Sequence, residues 1–387
     1  MSEPRLPEIR LMDGRDPRTE PESMAEHVSR LGPLPRRGPE LIDVLIADGL
    51  TGRGGAAFPV GLKWRTQARR GAPVAIVVNG AEGEPHSRKD RLLMTARPHL
   101  VLDGAFTAAR VLRSHQVVLY VGEQHYKARA AMERAVAERT PHERAIVRFF
   151  SAPARYVAGD SNAAVHAIAA GIALPTTQKP APALVQNVET LAQVALIART
   201  GHATGTVMVT LAGSIAHPGV IEIPTTATVR DALSRAGGVT DAARAVLLGG
   251  YFGSWIDAGA ALDLRLDPVL LKQQGLTLGC GVVGVLPKSR CAVCETAGIL
   301  RYLAGESSSQ CGPCFFGLRA LGDACSRVAN HGVTAADMAR LERWSSEVRG
   351  RGACKHPDGA VMFLHSALKT FATEFATHKQ HAVRQTA

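Results

Sequence analysis

The chain has 387 residues and carries 45 Lys and Arg against 34 Asp and Glu, a formal net charge of +11. At roughly 100–200 residues per domain it has material for two or three domains, and 46% hydrophobic with 20% charged residues excludes a wholly disordered chain. It has no run of roughly 18 apolar residues, and its Pro-rich, polar start lacks an apolar segment. Neither a membrane span nor a secretory leader is therefore expected, and the expected compartment is the cytoplasm.

Aromatic residues are only 5% of the chain, and Lys and Arg are scattered without stacking rings between them. That pattern argues against nucleic acid as a partner and for a solvated basic surface.

Residues 1–35, with six prolines, read as a flexible lead-in. Leu41 to Asp48 reads as a helix, Pro73 to Val78 as a buried strand and Leu100 to Leu112 as a helix. Val117 to Val121, Lys127 to Ala137, Ala145 to Phe150 and Asn162 to Ile172 continue as strand, helix, strand and helix. Strands alternating with helices of this length predict βαβ units and a parallel sheet. Beyond Gly205 the texture changes. Val207–Leu211 and Val220–Ile223 flank a His217-Pro218-Gly219 turn, and Thr228 with Asp231 forms a capping-box pattern opening a helix to Arg235. From Thr296 onward the periodicity is helical, over Ile299–Leu303, Phe315–Val328, Met338–Val348 and Ala360–Phe375, which predicts a small bundle.

Three motifs carry chemistry. Gly52-Arg53-Gly54-Gly55-Ala56-Ala57 would let backbone amides approach a phosphate, with Arg53 and Lys63 supplying charge. A helical pattern precedes it, so it is not an ordinary Rossmann fingerprint. Asn79-Gly80-Ala81-Glu82-Gly83-Glu84-Pro85 follows the first strand, where an open parallel sheet binds ligands.

The third motif is the cysteine set. All seven cysteines lie from residue 280 onward, a crowding that points to metal or redox chemistry rather than disulfides. Three readings compete. Cys291-x-x-Cys294 and Cys311-x-x-Cys314 have the spacing of a zinc site; Cys311-Gly312-Pro313-Cys314 resembles a redox dithiol; Cys311 and Cys314 with distant Cys354 suit an iron–sulfur cluster. Cys325 lies about 16 Å from Cys314 along one predicted helix, too far to share a cluster, and reads as a buried thiol.

Several segments, in order from about residue 40 to 370, resemble one family: the NADH-binding flavoprotein subunit of respiratory complex I, shared with NAD-linked hydrogenases and formate dehydrogenases. Gly49 to Trp64 resembles its flavin-phosphate loop. Asn79 to Pro85 with Lys89-Asp90-Arg91 resembles its acidic flavin and nicotinamide loop. Tyr156-Val-Ala-Gly159-Asp160 and Gln186-Asn187-Val188-Glu189-Thr190 are similar to two further family segments, and Cys311, Cys314 and Cys354 follow its cluster spacing.

The resemblance implies an α/β fold: a Rossmann-like FMN-binding domain with a parallel sheet (36–204), a β-grasp module (205–255), a return segment (256–296) and a helical bundle carrying a [4Fe-4S] cluster (297–387). It implies electron transfer from NADH through FMN to that cluster and on to a partner electron-transfer protein, ferredoxin-like or of thioredoxin fold; docking to a membrane-bound complex is compatible with it. The alternatives are a relay subunit that does not oxidise NADH and a zinc-stabilised scaffold. Gly52, Arg53, Gly54, Gly55 and Lys63 would hold the flavin phosphate. Asn79, Glu82, Tyr156, Gly159, Asp160 and Asn187 would surround the rest of the flavin. Glu84, as the catalytic residue, and Lys179 would meet NADH, with Phe58 as a stacking ring.

The cluster ligands would be Cys311, Cys314 and Cys354, with Ser308, which aligns with the family's first cysteine, or Cys294 as the fourth. Other departures are Ala81 for an acidic residue, Asp160-Ser161 for a Glu pair, Thr66 for an aromatic, and a missing Phe in Lys179-Pro180-Ala181-Pro182. They fall on the nicotinamide-stacking side more than on the flavin loop.

Overall fold

The computed structural model describes residues 10–13, 20–71, 73–176 and 182–379. Its first sheet holds β1 (Ala75–Gly80), β2 (Val117–Gly122), β3 (Val147–Ala152) and β4 (Ala183–Asn187), all parallel, in the order β3-β2-β1-β4. β1 and β2 are rich in Val and Ile because both faces of the sheet are covered. Ile76, Val78 and Leu119 pack with the buried helices Pro98–Val111 and Val188–Thr200. Val77 and Val118 on the opposite face meet Ala164 and Val165 of the helix Ser161–Ala170. The chain steps outward from β1 through β2 to β3, then returns to place β4 on the other side of β1, so the winding reverses between β1 and β4.

Over residues 20–35 the lead-in is more ordered than its composition predicts. Met24–Leu31 is a helix started by a Ser23/Glu26 capping box. It is held down by buried His27, whose Nε2 lies 2.8 Å from Asp103. Only a segment with a polar anchor of this kind escapes the expectation of disorder, and that anchor lies 76 residues away.

The second sheet contains β5 (Thr206–Gly213), β6 (Gly219–Pro224), β7 (Ala243–Leu248), β8 (Ser254–Asp257) and β9 (Val282–Pro287), ordered β6-β5-β9-β7-β8. The hairpin β5–β6 and the capped helix Val229–Arg235 lie where the turn and capping box predict. β9 corrects the expectation of a plain return segment over 256–296. It is the central strand, parallel to β5 and antiparallel to β7. Gly284 interrupts its apolar run, and only tertiary pairing reveals its place.

The bundle comprises Ala292–Gly305, a π-helical turn Pro313–Gly317 that continues as Leu318–His331, then Ala335–Val348, His356–Thr370 and Ala372–Thr377. Its core gathers Leu300, Leu321, Leu341, Phe363 and Phe375, each at most 2% exposed. Among the described residues no helix is long and apolar enough to cross a membrane.

Candidate functional site

The carboxyl ends of β1 and β4 lie side by side, with Asn79 in register with Asn187. A cavity of about 480 Å³ opens there, at the reversal of winding where open α/β sheets bind ligands and within the size range of small-molecule sites. Three parts of the fold wall it. The α/β part supplies the Arg53–Ala56 loop with Asn79 and Asn187 at strand ends; the loops of the second sheet supply Gly249, Phe252 and Cys280; the bundle supplies Cys354, Lys355 and His356.

The glycine loop is closed by Gly52, whose N–H donates to the Phe58 carbonyl at 2.9 Å. It is docked onto the start of the helix Val188–Thr200 by the Arg53 N–H, which donates to Thr190 Oγ1 at 2.9 Å. Asn187 caps that helix, accepting from the Glu189 and Thr190 amides at 3.0 and 3.4 Å. A Cβ on Gly54 would lie 3.2 Å from Asn187 Cβ, so loop and cap pack closely and any added side chain must displace its neighbour. Gly55 has φ +105°, a conformation that side chains disfavour. The Arg53 guanidinium donates to Thr51 Oγ1 at 2.9 Å, while its buried Nε finds no hydrogen-bond acceptor and lies 3.7 Å from Glu189. A cramped backbone cradle, a helix N-terminus and a cation with an unmade hydrogen bond suit the phosphate ester of a flavin nucleotide.

Lys63 departs from the expected role. It is not on the cavity wall, and its ammonium donates to the Val185 carbonyl at 2.5 Å, because the helix Val60–Ala68 runs beside β4. Gly52 also lies off the wall and acts only through loop closure. Phe58 is 53% exposed and does not line the cavity. Lys179 lies outside the described residues.

Asn79 lines the cavity and donates through Nδ2 to the Gly159 carbonyl at 2.9 Å. Asp160 caps the next helix, accepting from the Asn162 and Ala163 amides at 2.8 and 3.1 Å. Glu82 lies on the wall with φ +41°, but its carboxylate is engaged. Ser87 Oγ and the Asp90 amide donate to Oε1 at 2.8 and 2.9 Å, and the Arg91 amide to Oε2 at 3.1 Å. It therefore fixes the helix Lys89–Ala96, and its backbone rather than its charge faces a ligand. Behind it, fully buried Lys89 bridges Asp90 at 2.8 Å and Glu189 at 2.9 Å.

Glu84 is different. Its Oε2 accepts from Tyr156 Oη at 3.0 Å and from the Tyr251 amide at 2.9 Å, while its buried Oε1 has no partner. Burial pushes its carboxyl up to about 7, partly opposed by these hydrogen bonds. Between its ordinary value of 4.5 and about 7, the folded chain holds a proton that the unfolded chain has released. Stability therefore falls as pH rises through that window, by roughly 3 kcal/mol in all. Glu84→Gln is expected to remove this part of the slope and leave that of Asp90, whose carboxyl burial also raises, to about 6. Denaturation midpoints of both proteins between pH 5 and 8 check this; parallel profiles would contradict it.

A ring cluster joins the cavity to the bundle. Tyr156 lies edge-on to Phe252 at 4.7 Å and to His356 at 5.7 Å, and Phe252 meets His356 at 5.3 Å. Tyr156 is a residue that the sequence pointed to. Phe252 and His356 are not, although Gly249-Gly250 after β7 and the position two residues beyond Cys354 were available signals.

Cys354 faces the cavity and is a neighbour of Cys314, an interaction that lowers the Cys314 thiol to about 5. Ser307 Oγ donates to the Cys314 carbonyl at 3.4 Å. Cys311 is half-buried one turn before, and Cys314 is fully buried. Cys311 and Cys314 one turn apart before a long helix, with Cys354 as a neighbour of Cys314, suit a thiolate-held cluster better than a lone dithiol. Cys294 does not join them: it groups with Cys291 and His378. The zinc reading that pairs Cys291 and Cys294 with Cys311 and Cys314 is thereby overturned, since the intervening helix Ala292–Gly305 separates the two pairs.

Comparisons with known proteins agree with this geometry. Residues 46–196 match the family described as Nuo51 FMN-binding domain, 208–250 the SLBB domain, and 291–378 the NADH-ubiquinone oxidoreductase-F iron-sulfur binding region. The chain is 30% identical over 376 residues to the second F-type subunit of the NADH-quinone oxidoreductase of Rhizobium meliloti (strain 1021), with 88% of each chain covered. It is 27% identical over 371 residues to the mitochondrial NADH dehydrogenase [ubiquinone] flavoprotein 1 of Dictyostelium discoideum, covering 86% of this chain and 78% of that one. In fold it is similar to a chain of the NAD⁺-reducing [NiFe]-hydrogenase in the H2-reduced state, with TM-score 0.77 and 24% identity. That match covers 89% of this chain and spans 64% of the hydrogenase chain.

Proposed function

The chain belongs to the family of 51 kDa-type (F-type) flavoprotein subunits of NADH-quinone oxidoreductases, and from that premise we propose that its cavity serves NADH oxidation and feeds electrons to a cluster at Cys311, Cys314 and Cys354. One observation carries this reading: Cys354 and His356 wall the same cavity as the Arg53–Ala56 loop and Asn187. FMN, when bound, takes electrons as a pair and releases them singly. This chain's residues hold and orient it. The Gly54 and Gly55 backbone and Arg53 take the phosphate, Asn79 and Asn187 the polar edge of the flavin, and Tyr156 and Phe252 the wall toward the bundle. Glu84, buried with one unpartnered oxygen, is the proposed residue facing the nicotinamide, with Lys179 as a further NADH contact. Ser308 is the proposed fourth cluster ligand, a harder and weaker one than thiolate.

Electrons leave toward a partner protein. A ferredoxin-like or thioredoxin-fold electron carrier matches the one-electron chemistry, and the cytoplasm is the proposed compartment.

Anaerobic titration with NADH tests the reading directly. Bleaching of the flavin absorbance, followed by cluster reduction, is expected. Bleaching by dithionite but not by NADH would favour a relay subunit that takes its electrons elsewhere. The departures on the nicotinamide side lead to a second expectation, a high KM for NADH. Each stacking ring contributes about 0.5–1.5 kcal/mol beyond burial, or about two- to twelve-fold in affinity. Thr66, exposed on the helix Val60–Ala68, lies off the cavity wall as Phe58 does, so neither position supplies a stacking ring at that wall. Micromolar KM in the parent chain would show that stacking is supplied by other residues.

A further inference from the structure

Cys291, Cys294 and His378 take no part in the flavin cavity or the cluster, yet they converge. Their ligand atoms all lie within 4.8 Å of one another, with Cys291 Sγ 3.9 Å from His378 Nδ1. A tetrahedral zinc with ordinary Zn–S and Zn–N bonds holds such a pair about 3.6 Å apart, so the side chains need little movement to close on an ion.

The surroundings are set for a metal. His378 Nε2 lies 3.1 Å from the Ala329 carbonyl, which accepts its N–H and so leaves Nδ1 as the lone-pair nitrogen facing the two thiols. Fixing a histidine tautomer through a backbone carbonyl is how metal-bound imidazoles are commonly oriented. Cys291 is the N-cap of the helix Ala292–Gly305, and its sulfur accepts from the Cys294 amide at 3.4 Å. A helix N-terminus favours the thiolate that a metal needs. The His378 backbone is held as well, its carbonyl accepting from the Val333 amide at 3.0 Å. On the inner side, fully buried Cys325 is an electrostatic neighbour of Cys294.

We propose that Cys291, Cys294 and His378 bind a single zinc ion, through three protein donors, that is separate from the iron–sulfur cluster. Sulfur and imidazole donors in this number select zinc over the hard cations. The ion clasps the C-terminal end of the bundle, at His378, to the first turn of its first helix. Three residues drawn from two segments are joined by one bond network, which fastens the bundle around the cluster without touching it. The proposal does not depend on NADH oxidation.

Metal analysis of the intact chain tests it. Zinc is expected in addition to iron, and cobalt exchanged for zinc should show the intense visible bands of tetrahedral thiolate coordination. Cys291→Ser, Cys294→Ser and His378→Ala should each lose zinc and melt at lower temperature while keeping iron and the brown colour. Cys314→Ala should do the reverse, losing iron and keeping zinc. A parent chain that binds neither zinc nor cobalt overturns the proposal, whatever the variants do. So does loss of iron from Cys291→Ser or Cys294→Ser, which would make those thiols cluster ligands. Loss of zinc and retention of iron in a His378→Ala chain of unchanged helix content supports it.

Discussion

Cys314→Ala is expected to yield a chain that retains flavin and has no iron–sulfur chromophore. The Cys314 side chain is fully buried in the bundle and interacts with Cys354. Without it two thiols and a serine hydroxyl remain, too few soft donors for a four-iron cluster. Loss of the sulfur from the bundle core costs about 1 kcal/mol, a typical value for a point substitution, so the chain should fold and the loss should be specific. Flavin reduction by NADH should continue, and delivery of electrons to a one-electron protein acceptor should cease. Ser308→Cys should act in the opposite direction, raising cluster occupancy and its survival in air, because it replaces a poor ligand by a good one. Cys294→Ala should leave the colour unchanged, since that thiol lies with Cys291 and His378. Iron and sulfide analysis with the visible spectrum checks all three. A brown Cys314→Ala protein would remove the cluster from this position, and a bleached Cys294→Ala protein would make Cys294 its fourth ligand.

Strands β1, β2 and β3 of the first sheet, the hairpin of the second sheet and the helical tail were legible because each announces itself locally, whereas β4 was not expected. β1 and β2 hold short apolar runs rich in β-branched residues, Thr228 and Asp231 form a capping box, and the periodicity from Thr296 onward is helical. The glycine loop and the acidic loop were legible for the same reason: glycines and carboxylates stand out over a few residues. What was not legible depends on long-range placement. β9 is interrupted by Gly284 and becomes a strand only between β5 and β7. Lys63 has the right charge near the right loop, and only the position of β4 shows its ammonium bound to Val185. Glu82 has a carboxylate at a strand end, but the Asp90 and Arg91 amides occupy it. His378 lies far along the chain from Cys294, and no spacing rule connects them. Phe252 and His356 come from different segments and become neighbours only through the fold.

Gly54→Leu is expected to abolish flavin retention while leaving the chain folded. No positive φ is involved, so the cost lies in space rather than in backbone strain. The first carbon added at Gly54 would lie 3.2 Å from Asn187 Cβ and 3.8 Å from its Cγ. Asn187 cannot move away freely. Its Oδ1 caps the helix Val188–Thr200, and its Nδ2 donates to Asp90 Oδ2 at 2.6 Å. The rest of the leucine must therefore project from the loop into the cavity that Gly54 lines. Overpacking of this kind costs about 1–3 kcal/mol, or roughly 5- to 150-fold in affinity, before any direct clash with the ligand is counted. Gly54→Ala needs only a few tenths of an ångström of give and should lower affinity without abolishing it. The ratio of flavin to protein after desalting, together with circular dichroism, separates loss of the ligand from loss of the fold. Stoichiometric flavin in a folded Gly54→Leu chain would move the binding site away from this loop.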